Sequence, residues 1–399
     1  MSRPLKGFRV LDLTNVLAGP FCCHQLAHLG ADVIKVEMPK TGDLARQLGA
    51  DPELNKALMG VSFLAQNSGK RSITVNLKSD DGKAVLRRLV ETADVLVENF
   101  RPGVMDRLGL GYSDLKEVNH ELVYCAISGF GQEGPLKGAP AYDQIVQGMS
   151  GVMSVTGDAD SAPLRVGYPV ADTIGGMTAA FAISSALTKL TPGRGAFLDV
   201  SMLDSVVATM GWVVSNYLVA GKTPSPMGNA NFTASPSGAF RTKDGLINIA
   251  ANKQEQFEAV CAVVGHPEWI SDPRFAVRQS RLDNREALSE ALENALASDT
   301  SSNWVAKLNA AGVPAGPVLS VPELLQHPQV LERGLVGGFP DVPGVDRPVR
   351  LARTGVQIDG KSPATSTPPP ELGAHTTEIL SELGLSRDEI STLVQNGAV

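Results

Sequence analysis

An aspartate stands at the start of a long, apolar helix pattern. The pattern covers residues 172–189, and Asp172 is its first residue. A carboxylate at a helix start often accepts hydrogen bonds from the free backbone N–H groups of the first turn, so helix capping is one role for Asp172. The other role is covalent catalysis, because a carboxylate can attack an activated acyl group. We expect Gly175 and Gly176 to leave room for a bulky ligand and to supply N–H groups to an oxyanion.

Basic residues lie at the edges of the predicted strands, and the carboxyl ends of strands face the ligand crevice in open α/β sheets. Arg101 and Arg107 follow a strand that ends near Asn99, so both are candidates for binding phosphate groups. Solvated surface charge is the alternative role for each basic residue. The group comprises Lys70, Arg71, Lys78, Arg101 and Arg107.

Two further motifs lack the context that their chemistry requires. Residues 129–134 match G-x-G-x-x-G, but Pro135 follows directly, so no helix can begin there and direct its N–H groups at a pyrophosphate. We predict a turning loop instead of a nucleotide site. The cysteines and histidines at residues 22–28 have no second Cys or His pair at zinc-like spacing. We predict that they are core residues of a helix and that the protein holds no metal.

The elements that position these residues alternate between strand and helix in the first third of the chain. Predicted strands cover residues 8–13, 31–36, 72–77, 94–97 and 122–127. This alternation indicates βαβ units, which form an open parallel sheet with helices on both faces. A second long helix is predicted over residues 201–219.

We predict a large α/β domain over residues 1–220 and a smaller α/β domain over residues 225–330. A strand pattern at residues 246–250 and the helix patterns that follow it define the smaller domain. The stretches 221–238 and 334–370 are rich in Pro and Gly, which is typical of loops at domain boundaries.

The composition excludes several classes of protein. The chain has 399 residues, too many for one ordinary domain, and 35 basic and 42 acidic residues give it a net charge of −7. A nucleic-acid-binding protein normally has a basic excess, so we exclude that class. Four cysteines without framework spacing indicate a reducing compartment. Without a signal peptide or an uncharged apolar stretch of about 20 residues, we predict a soluble, cytoplasmic protein with no membrane partner.

Short motifs follow one another along nearly the whole chain. They are LKGFRVLDL at 5–13, AGP at 18–20, GADVIKVE at 30–37, NSGKRS at 67–72, VENFRPG at 97–103, SGFG at 128–131, the Asp172 segment, GRG at 193–195 and ELGAHT at 371–376. In this order they resemble the family III CoA-transferases, the group that contains formyl-CoA transferase and the carnitine and bile-acid CoA-transferases.

The resemblance implies a Rossmann-like large domain and a role for Asp172, which matches the family's catalytic aspartate. Its carboxylate would attack the thioester of an acyl-CoA donor to give an aspartyl anhydride. The CoA thiolate would convert this anhydride into an aspartyl-CoA thioester, and the acceptor acid would reverse the steps. No cofactor is expected beyond the CoA thioester substrate. The expected donor is succinyl-CoA, and the expected acceptor is a small dicarboxylate.

The same matching implies a CoA site. Its residues are Leu17, Ala18, Asn76, Lys78, Asn99, Phe100, Arg101, Arg107, Tyr142 and Asp143. Tyr142 and Asp143 match residues beside the pantetheine and the active carboxylate.

The chain departs from the family pattern at several positions. Asn15 and Met38 replace other residues of formyl-CoA transferase or its family, and Pro140 stands where a lysine approaches CoA. Residues 227–240 occupy the place of the glycine run that covers the active site of formyl-CoA transferase. These departures argue against formyl-CoA and oxalate as the substrates.

A 2-methylacyl-CoA racemase on the same scaffold is the second hypothesis. Racemisation removes an α-proton and needs a base and an acid at the α-carbon, typically a His–Asp pair with an Asp. No histidine lies between His120 and His266, and Asn15 offers no base, which favours transfer. A CoA-binding regulator without catalysis is the third hypothesis.

We also expect an interlocked homodimer. The C-terminal tail is too short to bury its own apolar residues, and the resemblance implies that residues 335–399 return to complete the large domain of their own chain. The stretches 221–238 and 334–370 would then be two long crossings. Each chain would form an open ring with its partner threaded through it.

Overall fold

The computed structural model describes residues 3–189 and 195–399. Gly193 and Arg194 of the GRG motif therefore lie outside the described residues. The chain forms two compact units. The larger unit combines Met1–Val152, Arg165–Ala220 and Pro328–Val399, and the smaller unit combines Met153–Leu164 and Gly221–His327.

A six-stranded parallel sheet forms the centre of the larger unit, in the order β3-β2-β1-β4-β5-β6. The strands are β1 (Arg9–Asp12), β2 (Asp32–Glu37), β3 (Lys70–Thr74), β4 (Val95–Glu98), β5 (Val123–Ser128) and β6 (Ala196–Ser201). The predicted parallel sheet is confirmed. The chain order reverses between β1 and β4, and such a reversal opens a crevice at the carboxyl ends of the two strands.

Helices cover both faces of this sheet, as predicted. They are α1 (Ala18–His28), α2 (Pro52–Lys56), α3 (Val61–Leu64), α4 (Asp80–Val90), α5 (Val104–Arg107), α6 (Tyr112–Leu115), α7 (Asp143–Met149), α8 (Val170–Lys189), α9 (Met202–Thr209) and α10 (Gly211–Ala220). On one face, Cys22 of α1 and Ile183 of α8 pack with Val10 of β1. On the other face, Leu89 of α4 packs with Leu11 of β1.

Two expectations for the larger unit are wrong. The helix predicted over residues 201–219 is broken, because α9 and α10 meet at an angle of 76°. Gly211 begins α10 with a φ of +31°, a conformation that side-chain-bearing residues rarely adopt. The stretch 334–370 is not only a loop, because it contains an antiparallel hairpin of β10 (Val336–Phe339) and β11 (Val349–Ala352).

The C-terminal part of the chain returns to the face of the sheet that α4 covers. Its helices are α16 (Pro328–Glu332), α17 (Thr376–Glu382) and α18 (Arg387–Gln395). Ile379 and Leu380 of α17 and Ile390 of α18 are buried in the same cluster as Leu89. These apolar residues therefore complete the core of the larger unit.

The smaller unit is built on a three-stranded antiparallel sheet in the order β7-β8-β9. Its elements are β7 (Ser237–Arg241), β8 (Leu246–Ala250), α11 (Gln254–Val264), α12 (Arg278–Asp283), α13 (Arg285–Leu296), α14 (Ser301–Ala310), β9 (Ala315–Pro317) and α15 (Val321–Gln326). Ile247, Val260, Leu292 and Trp304 form the centre of its own core.

Helix α8 is the one helix of the described chain that is long and apolar enough to cross a bilayer by length and composition alone. It carries Asp172 in its first turn, and Ala171, Ala179 and Ile183 are buried in the core with residues of α1. Its apolar character is thus used, at least in part, for packing inside the larger unit.

Candidate active site

The first turn of α8 is capped by an aspartate from another helix. The helix begins at Val170, so Asp172 lies inside its first turn and not at the cap. Asp143 Oδ1 accepts the N–H of Ala171 at 2.8 Å and the N–H of Asp172 at 3.3 Å. The capping role considered for Asp172 therefore belongs to Asp143, which leaves the Asp172 carboxylate available for another task.

Asp143 is itself held firmly. It begins α7 and is only 8% exposed. Its Oδ2 accepts a hydrogen bond from Gln147 Nε2 at 2.7 Å, and an Arg165 guanidinium nitrogen lies 4.0 Å from the same oxygen. Gln147 Oε1 in turn accepts the N–H of Val166 at 2.9 Å. This chain of contacts fixes the segment that leads into α8.

The carboxylate of Asp172 makes no hydrogen bond or ion pair with any described residue. Burial, and after it the negative charge of Asp143, raise the pKa of Asp172 to about 7. Both effects disfavour the ionised form. An ionised carboxylate in this position lacks stabilising donors, which makes it a stronger nucleophile than a solvated one.

Gly175 and Gly176 have a different role from the one predicted. A Cβ on Gly176 would lie 2.4 Å from the carbonyl oxygen of Ala18, and a Cβ on Gly175 would lie 2.8 Å from the Met202 side chain. Both glycines are buried inside α8, where backbone N–H groups bond to carbonyls one turn earlier. They supply no free N–H to an oxyanion. Instead they allow α1 and α9 to approach α8 closely.

This close approach brings Asp172 towards the start of α1. Residues four apart share one face of a helix, so Asp172 and Gly176 face the same side of α8. Because Gly176 touches Ala18, the predicted CoA-site residues Leu17 and Ala18 lie near the helix face that carries Asp172.

The loops after β1 and β4 are joined at the crevice of the sheet. Asn99 Oδ1 accepts the N–H of Asn15 at 2.8 Å, and Asn99 Nδ2 donates to the carbonyl of Asn15 at 2.9 Å. Glu98 Oε2 accepts the N–H of Phe100 at 2.7 Å and so fixes the residue after Asn99. The predicted residues Asn99 and Phe100 are therefore held at the carboxyl edge of the sheet.

A buried set of charges supports the same loops from below. Lys70 Nζ donates to Asp12 Oδ2 at 2.8 Å, and Lys35 Nζ lies 3.0 Å from Asp43 Oδ2. Asp43 Oδ1 accepts the N–H of Val16 at 2.9 Å. Val16 has a φ of +66°, which is unusual for a β-branched residue, so this contact holds a strained loop before α1.

Two of the five basic candidates are used for structure. Lys70 is buried against Asp12, so it is not available to a phosphate. Arg71 pairs with Asp32 of β2 and with Glu378 and Glu382 of α17. It therefore anchors the C-terminal part of the chain to the sheet.

The other three basic candidates are exposed: Lys78, Arg101 and Arg107. Neither the Arg101 guanidinium nor the Arg107 guanidinium forms a hydrogen bond or ion pair with another described residue. Asn76 is held by the C-terminal tail, because its N–H donates to the carbonyl of Ala398 at 2.8 Å.

Tyr142 precedes α7 and is 69% exposed. Tyr142 is thus next to Asp143, whereas no described contact joins Lys78 or Arg107 to Asp172.

The G-x-G-x-x-G match at residues 129–134 lies in a loop, and the cysteines and histidines at residues 22–28 lie in α1. No helix begins at residues 129–134, as predicted, and the N–H of Gln132 in this loop donates to Asp199 of β6 at 2.9 Å. Cys22, Cys23, His24 and His28 are all buried in α1. His24 Nε2 lies 2.9 Å from the Ser68 hydroxyl, within hydrogen-bonding distance.

Sequence reasoning missed Gln147 and Arg165, the residues that hold Asp143. The spacing of four between Asp143 and Gln147 on a predicted helix was an available signal. Arg165 lies in an irregular segment, and no local pattern points to its contact with Asp143.

Comparisons with known proteins agree with this arrangement. The family model described as CoA-transferase family III matches residues 5–376. The succinyl-CoA:glutarate CoA-transferase of Mus musculus is 37% identical over 400 residues, which cover 100% of this chain and 90% of the mouse protein. The acetyl-CoA:oxalate CoA-transferase of Acetobacter aceti is 41% identical over 353 residues, which cover 88% of this chain and 89% of that protein.

A solved structure shares the fold. The crystal structure of a CAIB/BAIF family protein from Brucella suis has a TM-score of 0.83 and 35% sequence identity, and the match covers 96% of this chain and 100% of that chain. The resemblance that the sequence motifs indicated is therefore confirmed: the chain belongs to CoA-transferase family III and is a CoA-transferase.

Proposed function

We propose that this enzyme moves CoA from succinyl-CoA to a small dicarboxylic acid, with Asp172 as the covalent nucleophile. One observation carries the proposal. Asp172 lies in a helix start that Asp143 already caps, and its own carboxylate has no partner among the described residues. A carboxylate on a fixed backbone whose oxygens accept no hydrogen bond is suited to attack an acyl group.

In the donor half of the reaction, a carboxylate oxygen of Asp172 attacks the thioester carbonyl carbon of succinyl-CoA. The carbon–sulfur bond breaks, CoA leaves as a thiolate, and a succinyl-aspartyl anhydride remains. The thiolate then attacks the aspartyl carbonyl carbon of this anhydride. Succinate leaves with an oxygen that came from Asp172, and the enzyme carries an aspartyl-CoA thioester.

In the acceptor half, a carboxylate oxygen of the acceptor attacks the aspartyl-CoA thioester. The thiolate leaves and an anhydride between Asp172 and the acceptor forms. Attack of the thiolate on the acceptor carbonyl gives the new acyl-CoA and restores the Asp172 carboxylate. One thioester replaces another throughout, so this scheme requires no cofactor beyond the CoA thioester.

The CoA site of this proposal lies along the carboxyl edge of the parallel sheet. Arg101 and Arg107, both exposed and unpaired within the described chain, are suited to bind CoA phosphates. Asn99 and Phe100 would contact the CoA portion of the acyl-CoA substrate near the crevice. The remaining residues assigned to CoA are Leu17, Ala18, Asn76, Lys78, Tyr142 and Asp143.

The names of the similar proteins support the choice of substrates. The mouse relative is named for succinyl-CoA and glutarate, and the Acetobacter aceti relative for acetyl-CoA and oxalate. Glutarate and oxalate both carry two carboxyl groups. The oxalate name keeps oxalate among the acids to be tested, although the sequence departures argue against it.

Trapping the covalent intermediate tests the nucleophile. Wild-type enzyme incubated with succinyl-CoA and hydroxylamine should acquire a hydroxamate on the peptide that contains Asp172. Asp172→Asn should lose turnover by several orders of magnitude while it still binds CoA. Asp204→Asn is the matched control, because Asp204 lies in the first turn of α9 and is exposed. Normal turnover in Asp172→Asn would refute the proposal.

The racemase hypothesis gives a different product pattern. Asp172 forms no hydrogen bond with a histidine among the described residues, so the acid–base pair that racemisation requires is not present at this carboxylate. In deuterated water, transfer gives a new acyl-CoA without deuterium at Cα. Deuterium uptake at Cα without a new acyl-CoA would favour the racemase.

We further propose that the enzyme is an interlocked homodimer and acts in the cytoplasm. Helix α10 has no buried residue, although its sequence is apolar. Leu218 and Val219 are 74% and 87% exposed, and Phe181 of α8 is 73% exposed. Exposed apolar side chains of this kind commonly mark an interface with another chain. Sedimentation at nanomolar concentration should show a dimer; an active monomer would refute this part.

A further inference from the structure

The loop between β1 and α1 is bound to several buried charged side chains. Asp12 Oδ1 accepts the N–H of Thr14 at 3.0 Å, and Lys35 Nζ donates to the carbonyl of Thr14 at 2.9 Å. Asp43 Oδ1 accepts the N–H of Val16 at 2.9 Å. All three charged side chains are buried. Because burying charges costs free energy of desolvation, such a set on one short loop points to a conformation that the protein must keep.

Val16 is the residue of this loop that needs support. Its φ is +66°, and among residues 3–189 and 195–399 it is the one β-branched residue with a positive φ. A β-branched side chain is crowded in this left-handed conformation, so Val16 would relax to a negative φ if nothing held it. Backbone strain of this kind is concentrated at functional sites, where the surrounding structure maintains it.

The strained residue directs the chain into α1. Leu17 is the N-cap and Ala18 the first residue of that helix. A Cβ on Gly176 of α8 would lie 2.4 Å from the carbonyl oxygen of Ala18. A change of φ at Val16 would rotate the chain that follows and would shift Leu17 and Ala18 relative to α8. The conformation of Val16 thus sets where these two residues lie beside the helix face that carries Asp172.

Asp43 is itself fixed by β2, so it cannot follow the loop if the loop relaxes. Its Oδ2 lies 3.0 Å from Lys35 Nζ, and its backbone N–H donates to Glu37 Oε2 at 3.0 Å. Lys35 and Glu37 both belong to β2. The carboxylate that holds Val16 is therefore anchored to the central sheet.

We infer that Asp43 is a positioning residue of the transfer reaction, and that it acts through the left-handed conformation of Val16. Through Val16 it places Leu17 and Ala18 for the binding of CoA. The inference rests on the CoA site proposed above, to which these two residues are assigned. A merely structural Asp43 would contribute to stability alone. A positioning Asp43 also controls CoA affinity, and the need for it disappears when residue 16 is free of strain.

A double-mutant cycle tests this coupling, with CoA titrated calorimetrically into the full-length protein. Asp43→Ala should raise the dissociation constant for CoA about tenfold or more, because the loop is no longer preorganised. Val16→Gly should change it by less than about threefold, since glycine adopts a positive φ without strain. The variant with both substitutions should bind CoA within about threefold of Val16→Gly, because no strained residue is left to hold.

Asp32→Ala is the matched control. Asp32 lies at the other end of β2 and pairs with Arg9 and Arg71. Its replacement should lower the free energy of unfolding in urea but leave CoA binding as in the wild type. Asp43→Asn keeps an oxygen for the N–H of Val16 and should bind CoA more tightly than Asp43→Ala. If Asp43→Ala does not fold, the cycle is run with Asp43→Asn, whose weaker CoA binding Val16→Gly should again restore.

Three results would each overturn the inference. They are CoA binding that does not change when Asp43 is replaced, CoA binding that Val16→Gly does not restore, and an equal loss of CoA binding in Asp32→Ala. The last result would mean that lower stability alone explains the effect. CoA binding is measured without transfer, and hydroxamate trapping reports on Asp172 separately. A failure of the proposed nucleophile is therefore distinguishable from a failure of this inference.

Discussion

Asp143 Oδ1 accepts the backbone N–H of Asp172 at 3.3 Å, from a position 29 residues earlier in the chain. This one contact explains two properties of the site. The helix start is capped without using the Asp172 side chain, and a negative charge lies close enough to raise the pKa of Asp172. The proposed nucleophile is thus positioned by the same residue that raises its pKa.

The first prediction concerns the pH dependence of transfer. Burial and Asp143 raise the pKa of Asp172 to about 7, so kcat/KM should fall below about pH 7 as the nucleophile becomes protonated. Asp143→Asn keeps an oxygen for the N–H groups of Ala171 and Asp172 but removes the charge. The acidic limb of its pH profile should therefore move to lower pH. A limb at the same pH as in the wild type would show that Asp143 has no electrostatic effect.

A second prediction concerns recognition of the CoA phosphates. A charge-assisted hydrogen bond contributes about 1.5–3 kcal/mol, so Arg107→Ala should raise the KM for acyl-CoA about tenfold or more. The KM for the acceptor should change little. Arg350→Ala serves as the control, because Arg350 is also an exposed arginine of the larger unit. If steady-state kinetics give equal donor KM values for both variants, Arg107 does not contact CoA.

The link between the β1 and β4 loops gives a third prediction. Asn99→Ala removes both partners of the Asn15 backbone, so the free energy of unfolding should decrease by about 1–3 kcal/mol. Asn99→Asp keeps the acceptor and loses the donor, and it should lie between the wild type and Asn99→Ala. Urea unfolding measures the stability, and the donor KM should rise in the same order. Equal stability of the three proteins would mean that the loops are held elsewhere.

His28 provides a fourth prediction, on stability in acid. Burial, and then the charge of Arg353, lower the pKa of His28 to about 4 from an ordinary value of 6.5. Between these values the unfolded chain binds a proton that the folded protein excludes, so stability falls as the pH falls from about 6.5 towards 4. Between pH 7 and pH 5 this effect amounts to about 2 kcal/mol.

His28→Gln should therefore lose less unfolding free energy than the wild type between pH 7 and pH 5, measured with urea. His266→Gln is the control, since the His266 side chain is 42% exposed and its Nδ1 lies 2.8 Å from Glu268 Oε1. The same acid-induced loss in His28→Gln and in the wild type would contradict the assignment.

The sequence patterns predicted most of the fold and singled out Asp172, whose catalytic role stays a prediction. Alternating strands and helices have local signals, and β8 begins and ends where the pattern at 246–250 does. Contacts between distant segments have no such signal. The cap from Asp143 to α8, the pairing of Arg71 with α17 and the joint between Asn15 and Asn99 all depend on tertiary structure.

The wrong expectations have the same origin. Gly175 and Gly176 are adjacent to Asp172 in sequence, which favours a role in the chemistry, but the packing of α1 and α9 explains their lack of side chains. The break before α10 depends on one glycine conformation at Gly211. The hairpin of β10 and β11 lies in a stretch whose Pro and Gly content predicts a loop, and its strands are too short to give a recognisable sequence pattern.

Isotope transfer tests the covalent role of Asp172 most directly. In the proposed sequence the acceptor carboxylate leaves one of its oxygens on Asp172 in every turnover. After several turnovers with ¹⁸O-labelled glutarate and succinyl-CoA, mass spectrometry should therefore find ¹⁸O in the peptide that contains Asp172 and not in the peptide that contains Asp204. Formation of glutaryl-CoA without any label in the Asp172 peptide would contradict the account.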